Sequence, residues 1–155
     1  MRWPIPIAVC SVVLVLSVTP ASADVVHGRG LHAEAAFDAD VLGDGHRSIQ
    51  VLDQVCRNPD RQRHCDPIRP ALERAITKAA GRPIDWVRRP TDGVFWVLAP
   101  VRFGADTAKV GWAWRDQRPH GCFGGGRLTY ARDHGAWSLT LGIGYEGCPA
   151  GAGTG

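Results

Sequence analysis

Ala108-Lys109-Val110-Gly111-Trp112-Ala113-Trp114-Arg115 alternates: Ala108, Val110, Trp112 and Trp114 fall on one side, Lys109, Gly111, Ala113 and Arg115 on the other. Trp137-Ser138-Leu139-Thr140-Leu141-Gly142-Ile143-Gly144-Tyr145 repeats the rule, with Trp137, Leu139, Leu141, Ile143 and Tyr145 opposed to Ser138, Thr140, Gly142 and Gly144. A period of two marks strands, because successive side chains leave opposite faces of the chain. Leu128 and Tyr130 carry the pattern through 127–132, and Asp133-His134-Gly135 is a turn, so 127–132 and 136–145 read as a hairpin. Working back, Val94, Trp96 and Leu98 alternate with the equally apolar Phe95, Val97 and Ala99, which predicts a central strand apolar on both faces. Pro100 implies a bulge or change of direction before Val101-Arg102-Phe103, and Ile84–Arg88 is a short strand ended by Pro90.

Upstream the period changes. Ile49, Leu52, Val55 and Cys56 recur at steps of three and four, which predicts an amphipathic helix from about His46–Ser48 to Asn58-Pro59. A second helix is expected from Asp66 as N-cap with Pro67 at the first helical position. Ile68, Leu72, Ile76 and Ala79 or Ala80 line its apolar face, and Gly81 followed by Pro83 stops it. Residues 31–42 fit either state: Ala33, Ala35, Ala36 and Phe37 suit a helix, whereas Phe37, Ala39 and Val41 alternate. The expected fold is α+β, with two or three N-terminal helices packed on one face of a curved antiparallel sheet of about four or five strands.

The first 23 residues stand apart. Arg2 precedes an apolar run from Ile7 to Val18, and Pro20 leads to Ala21-Ser22-Ala23, a small-x-small cleavage site. This reads as a secretory signal peptide, too short an apolar run to serve as a membrane anchor. The organisation is therefore a signal peptide at 1–23, a lead segment at 24–45, a single α+β domain at 46–148 and a C-terminal tail at 149–155. Loss of Arg2 reduces the 18 basic residues to 17 against 15 acidic ones, so the net charge falls from +3 to about +2. So weak a charge gives no reason to expect nucleic acid, and after cleavage no membrane segment is left. The arginine-, alanine- and glycine-rich composition matches the coding bias of a GC-rich bacterial genome.

Cys10 leaves with the signal, and Cys56, Cys65, Cys122 and Cys148 remain. An even number of cysteines in an exported chain predicts disulfides. Counted outward from the Asp133-His134-Gly135 turn, Cys122 and Cys148 fall nearly opposite each other, within bridging range. Cys56 then pairs with Cys65 and closes a ring over Arg57–His64. No C-x-x-C spacing exists, so zinc is not expected.

The motifs that carry chemistry are weak. Gly142-Ile143-Gly144-Tyr145-Glu146-Gly147 matches G-x-G-x-x-G but lies within the last strand, with no helix after it to hold a pyrophosphate. Asp38, Asp40 and Asp44 resemble a calcium loop, yet Leu42 and Ile49 occupy ligand positions, and an acidic loop capping the next helix is the simpler reading. His27, His32, His46, His64, His120 and His134 make no H-x-x-x-H pair, and no G-x-S-x-G occurs. His120, His134, Asp133 and Glu146 are the residues a small pocket enzyme would draw on.

Trp86, Trp96, Trp112, Trp114 and Trp137 could form a sugar-binding platform, but their spacing fits burial against the helices equally well. The Cys56–Cys65 ring displays Arg57, Arg61 and Arg63, a pre-organised basic loop of the kind a secreted protease inhibitor presents. No cofactor, metal or catalytic residue is expected. The reading is a small secreted binding or interaction protein with an extracellular protein or polysaccharide as partner, the alternatives being an inhibitor, a carbohydrate-binding module or a small enzyme.

Overall fold

A computed structural model describes residues 30–43, 45–91 and 93–149. The signal peptide, its cleavage site, residues 24–29 and 44 of the lead segment and the tail beyond Pro149 lie outside the described residues, whereas the rest of the lead segment is described and carries α1. The elements run α1 (Leu31–Leu42), β1 (Ile49–Asn58), a 3₁₀ turn (Pro59–Arg61), β2 (Arg63–Pro67), α2 (Pro70–Ala80), β3 (Ile84–Val87), β4 (Val94–Leu98), β5 (Arg102–Phe103), β6 (Thr107–Asp116), β7 (Phe123–Asp133) and β8 (Ala136–Gly147). The class is α+β, but the sheet is larger than expected and mixed. Its eight strands follow the order β2-β1-β4-β6-β7-β8, with β3 beside β1 and β5 beside β6. β1 is parallel to both β3 and β4, while every other pair is antiparallel.

The main correction concerns 49–58, which forms the central strand β1 and not a helix. Val51, fully buried, sits between β3 and β4, with Trp86 and Trp96 as its Cα partners. Val51 and Leu98 join the cluster beneath the helices, whereas Leu52, Cys56, Phe95 and Val97 form a separate core on the other face. A strand apolar on both faces mimics three- and four-residue helical steps, and the β-branched Ile49, Val51 and Val55 favour the extended form. With 49–58 extended, no acidic loop caps a helix there, and Asp38 and Asp40 lie inside α1.

The second helix also starts later than expected. Asp66 and Pro67 belong to β2, opposite Val55 and Gln54, because β2 must bring Cys65 against Cys56. Pro70 therefore takes the first helical position and Arg69 the N-cap. Helix α2 thus lies between β2 and β3, so the helices do not all precede the sheet. Ile68, Leu72, Ile76 and Ala80 are buried, and Gly81 closes the helix in the left-handed conformation at φ 61°.

Both helices cover one face of the sheet. Helix α1 contributes Ala35 and Leu42 to a cluster with Leu72, Ile76, Val51 and Leu98, and Ala33 and Phe37 to a second with Ala108, Val110, Tyr130 and Trp137. Trp137 meets Phe37 edge-on with ring centroids 5.6 Å apart. Strand alternation and register place all five described tryptophans on this covered face.

Strand β7 begins four residues earlier than 127, at Phe123, and takes in Gly124-Gly125-Gly126. Glycine is a poor strand former, but here two of the three make room. Trp114 is paired with Gly124 and Trp112 with Gly126. A Cβ on Gly124 would lie 2.5 Å from the Trp114 indole nitrogen, and one on Gly126 would lie 2.7 Å from the Trp112 ring.

Candidate functional site

The opposite face is where the predicted arginine ring lies. Disulfides join Cys56 to Cys65 and Cys122 to Cys148, with Cα separations of 4.0 and 4.2 Å. Cys56 and Cys65 are direct register partners on β1 and β2, so the bridge closes the two-strand ladder. The chain then turns over Pro59–Arg61, where Asn58 Oδ1 accepts the Arg61 backbone N–H at 3.4 Å and Gln62 adopts a left-handed φ of 48°. Arg57, Arg61 and Arg63 are all exposed.

The ring does not stand free. The Tyr145 hydroxyl on β8 donates to the Asp60 carboxylate, and Arg115 Nη2 on β6 donates to the Asp60 carbonyl at 3.1 Å. Burial first, and the Asp60 carboxylate second, push the Tyr145 hydroxyl up to about 12. Gly125, the third glycine of the triplet, faces this side, and a Cβ there would lie 2.8 Å from the Tyr145 hydroxyl and 3.0 Å from the Asp60 carboxylate. The triplet therefore serves two faces, admitting indoles on one and the ring's anchor on the other. Between ring and sheet a cleft of about 110 Å³ is lined by Pro59, Asp60, Phe95, Val97, Phe123 and Tyr145 among others.

Beyond the ring the same face is open. Leu141, Ile143 and Tyr145 are 52, 60 and 46% exposed. Register places Arg127 and Thr129 beside Ile143 and Leu141. Arg115, Lys109 and Arg102 share this face on β6 and β5, and all three are exposed. The uncovered face thus pairs an apolar row with basic side chains and borders the three arginines of the ring.

The residues weighed for catalysis are spread apart. His134 and Asp133 occupy the exposed β7–β8 turn, with Nδ1 2.7 Å from the carboxylate. Glu146 lies at the far end of β8, opposite Gly124, and His120 precedes Cys122 at that same end. Among the described residues no group of three or more His, Cys, Asp or Glu side chains is arranged to hold a metal ion, and no helix is long and apolar enough to cross a membrane.

Sequence reasoning placed the ring but missed Asp60, Tyr145, Arg115, Arg127 and Gly125. One signal was available: Trp112-Ala113-Trp114 and Gly124-Gly125-Gly126 are large and small blocks one hairpin apart. Comparison with known proteins finds no matching family model, no similar curated protein and no similar solved structure.

Proposed function

We propose that this protein is a secreted, non-catalytic binding domain whose contact surface is the open sheet face together with the disulfide ring, and that its partner is an acidic, partly apolar surface of an extracellular protein. One observation carries the reading: Leu141, Ile143 and Tyr145 stay exposed on a face bordered by Lys109, Arg115, Arg127 and the ring arginines. An exposed apolar row next to like-signed charge is the composition of an interaction surface. The Cys56–Cys65 bridge and the Asp60 anchor hold the ring in one conformation, which reduces the entropy lost on docking. Two disulfides agree with an oxidising compartment, the destination implied by the leader and the cut after Ala23.

The test uses a random glutamate–tyrosine copolymer, polyglutamate and dextran sulfate as probes, followed by fluorescence anisotropy at low and high salt. The copolymer is expected to bind more tightly than polyglutamate, to weaken with salt, and to be lost in the Arg57→Glu/Arg61→Glu/Arg63→Glu triple variant and in Arg127→Glu. Failure of the wild-type protein to bind either peptide polymer overturns the proposal. Dextran sulfate binding as tightly as the copolymer replaces the protein partner with a polysaccharide.

A further inference from the structure

The two edges of the sheet are built differently. One is formed by β2 and β3, of five and four residues, and carries Arg63, His64, Asp66, Pro67 and Asp85. Short strands, charges and proline are the devices that keep an edge from pairing with another chain. The other edge is β8, twelve residues long, with no proline and a single charge, Glu146. Every residue from Ser138 to Glu146 is exposed.

We propose that β8 is the interface of a two-fold homodimer, in which the strands of two copies pair antiparallel about Gly144 and join the two sheets into one. The strand's own sequence identifies the occupant. The register shift against β7 confines its irregularity to Thr140, so Leu141–Gly147 is regular. Reversed on itself about Gly144, this segment sets Ile143 opposite Tyr145 of the second copy, twice, on the open face. Leu141 then meets Gly147, Glu146 meets Gly142, and Gly144 meets its own equivalent. No like charges are opposed, no side chain is forced onto the wrong face, and each β-branched residue meets an aromatic one, a favourable cross-strand pair. The contact is isologous and closes at two copies, as most soluble oligomers do. Pairing along the edge leaves the open face uncovered, so the dimer presents two apolar rows and two arginine rings on one continuous surface.

Sedimentation velocity across a dilution series, with no ligand present, tests this independently of the binding reading. The wild-type protein is expected to be a dimer, and Ile143→Lys and Leu141→Lys to raise the dissociation constant by about tenfold or more, while Val94→Lys, at an exposed apolar residue far from β8, leaves it unchanged. Hydrogen exchange on the wild-type protein supplies a readout that needs no variant: amides within Leu141–Gly147 are expected to lose protection on dilution. A monomer at every concentration overturns the proposal. So do a dimer unaffected by both lysine substitutions, open-ended assemblies, and protection of Leu141–Gly147 that does not change with dilution.

Discussion

Asp38 is the group whose replacement tests the packing most sharply. It lies on α1 at helical spacing from Leu31, Ala35 and Leu42, and it is 1% exposed. Its Oδ1 has no hydrogen-bond partner, and Glu34 one turn earlier adds like charge. Burial, and to a lesser degree Glu34, hold its carboxyl well above the usual aspartate value of 3.8. The folded protein therefore keeps a proton on Asp38 at pH values where the unfolded chain has released it. Stability from this group is complete below the unfolded value and declines as pH rises towards the folded one. Across that window the slope is about 1.4 kcal/mol per pH unit. Asp38→Asn keeps the shape and removes the titration, so variant and wild type should be nearly equal in stability below about pH 4. At higher pH the variant should be the more stable, by a margin that grows with pH until the folded carboxyl itself titrates. Urea unfolding followed by tryptophan fluorescence across acid to neutral pH measures both. Parallel pH profiles for the two proteins would refute the reasoning, because they would mean that Asp38 titrates alike in the folded and unfolded chains.

Gly126→Ala drives a methyl to 2.7 Å from the Trp112 ring and should cost about 2 kcal/mol or more in chemical denaturation. Gly144→Ala, whose nearest neighbour would be an ordinary 3.6 Å contact, should change stability by less than about 0.5 kcal/mol. Tyr145→Phe removes the hydroxyl that holds Asp60, and since Tyr145 is half exposed the loss should be only about 1 kcal/mol, with faster hydrogen exchange across Asp60–Gln62. The raised Tyr145 value means that in the wild type this contribution is whole below about pH 10 and is lost as pH passes about 12. Replacing both cysteines of a bridge by serine should cost about 2.5 kcal/mol at Cys56–Cys65 and about 3.5 at Cys122–Cys148, since the second closes the longer loop, 26 residues against 9. Equal losses in thermal unfolding would count against a chain-entropy origin.

Taken alone, the sequence determined the parts of this protein that rest on local pattern. Alternation at 84–88, 94–99, 108–115 and 136–145 read directly as strands, which the structure places to within a residue or two, Gly81 marked the end of α2, and the Asp133-His134-Gly135 turn set Cys122 against Cys148. Only the tertiary structure decided what depends on covering both faces of the sheet. Residues 49–58 carry apolar side chains on either side because the helices close one face and the ring the other, and a doubly buried strand is indistinguishable by spacing from a helix. The glycine triplet became strand because indoles from β6 occupy the space its missing side chains leave. The ring itself was legible from its cysteines and arginines. Its seat against Tyr145 and Arg115 was not, because those contacts join residues 85 and 55 positions apart, and no local pattern records which face a loop folds over.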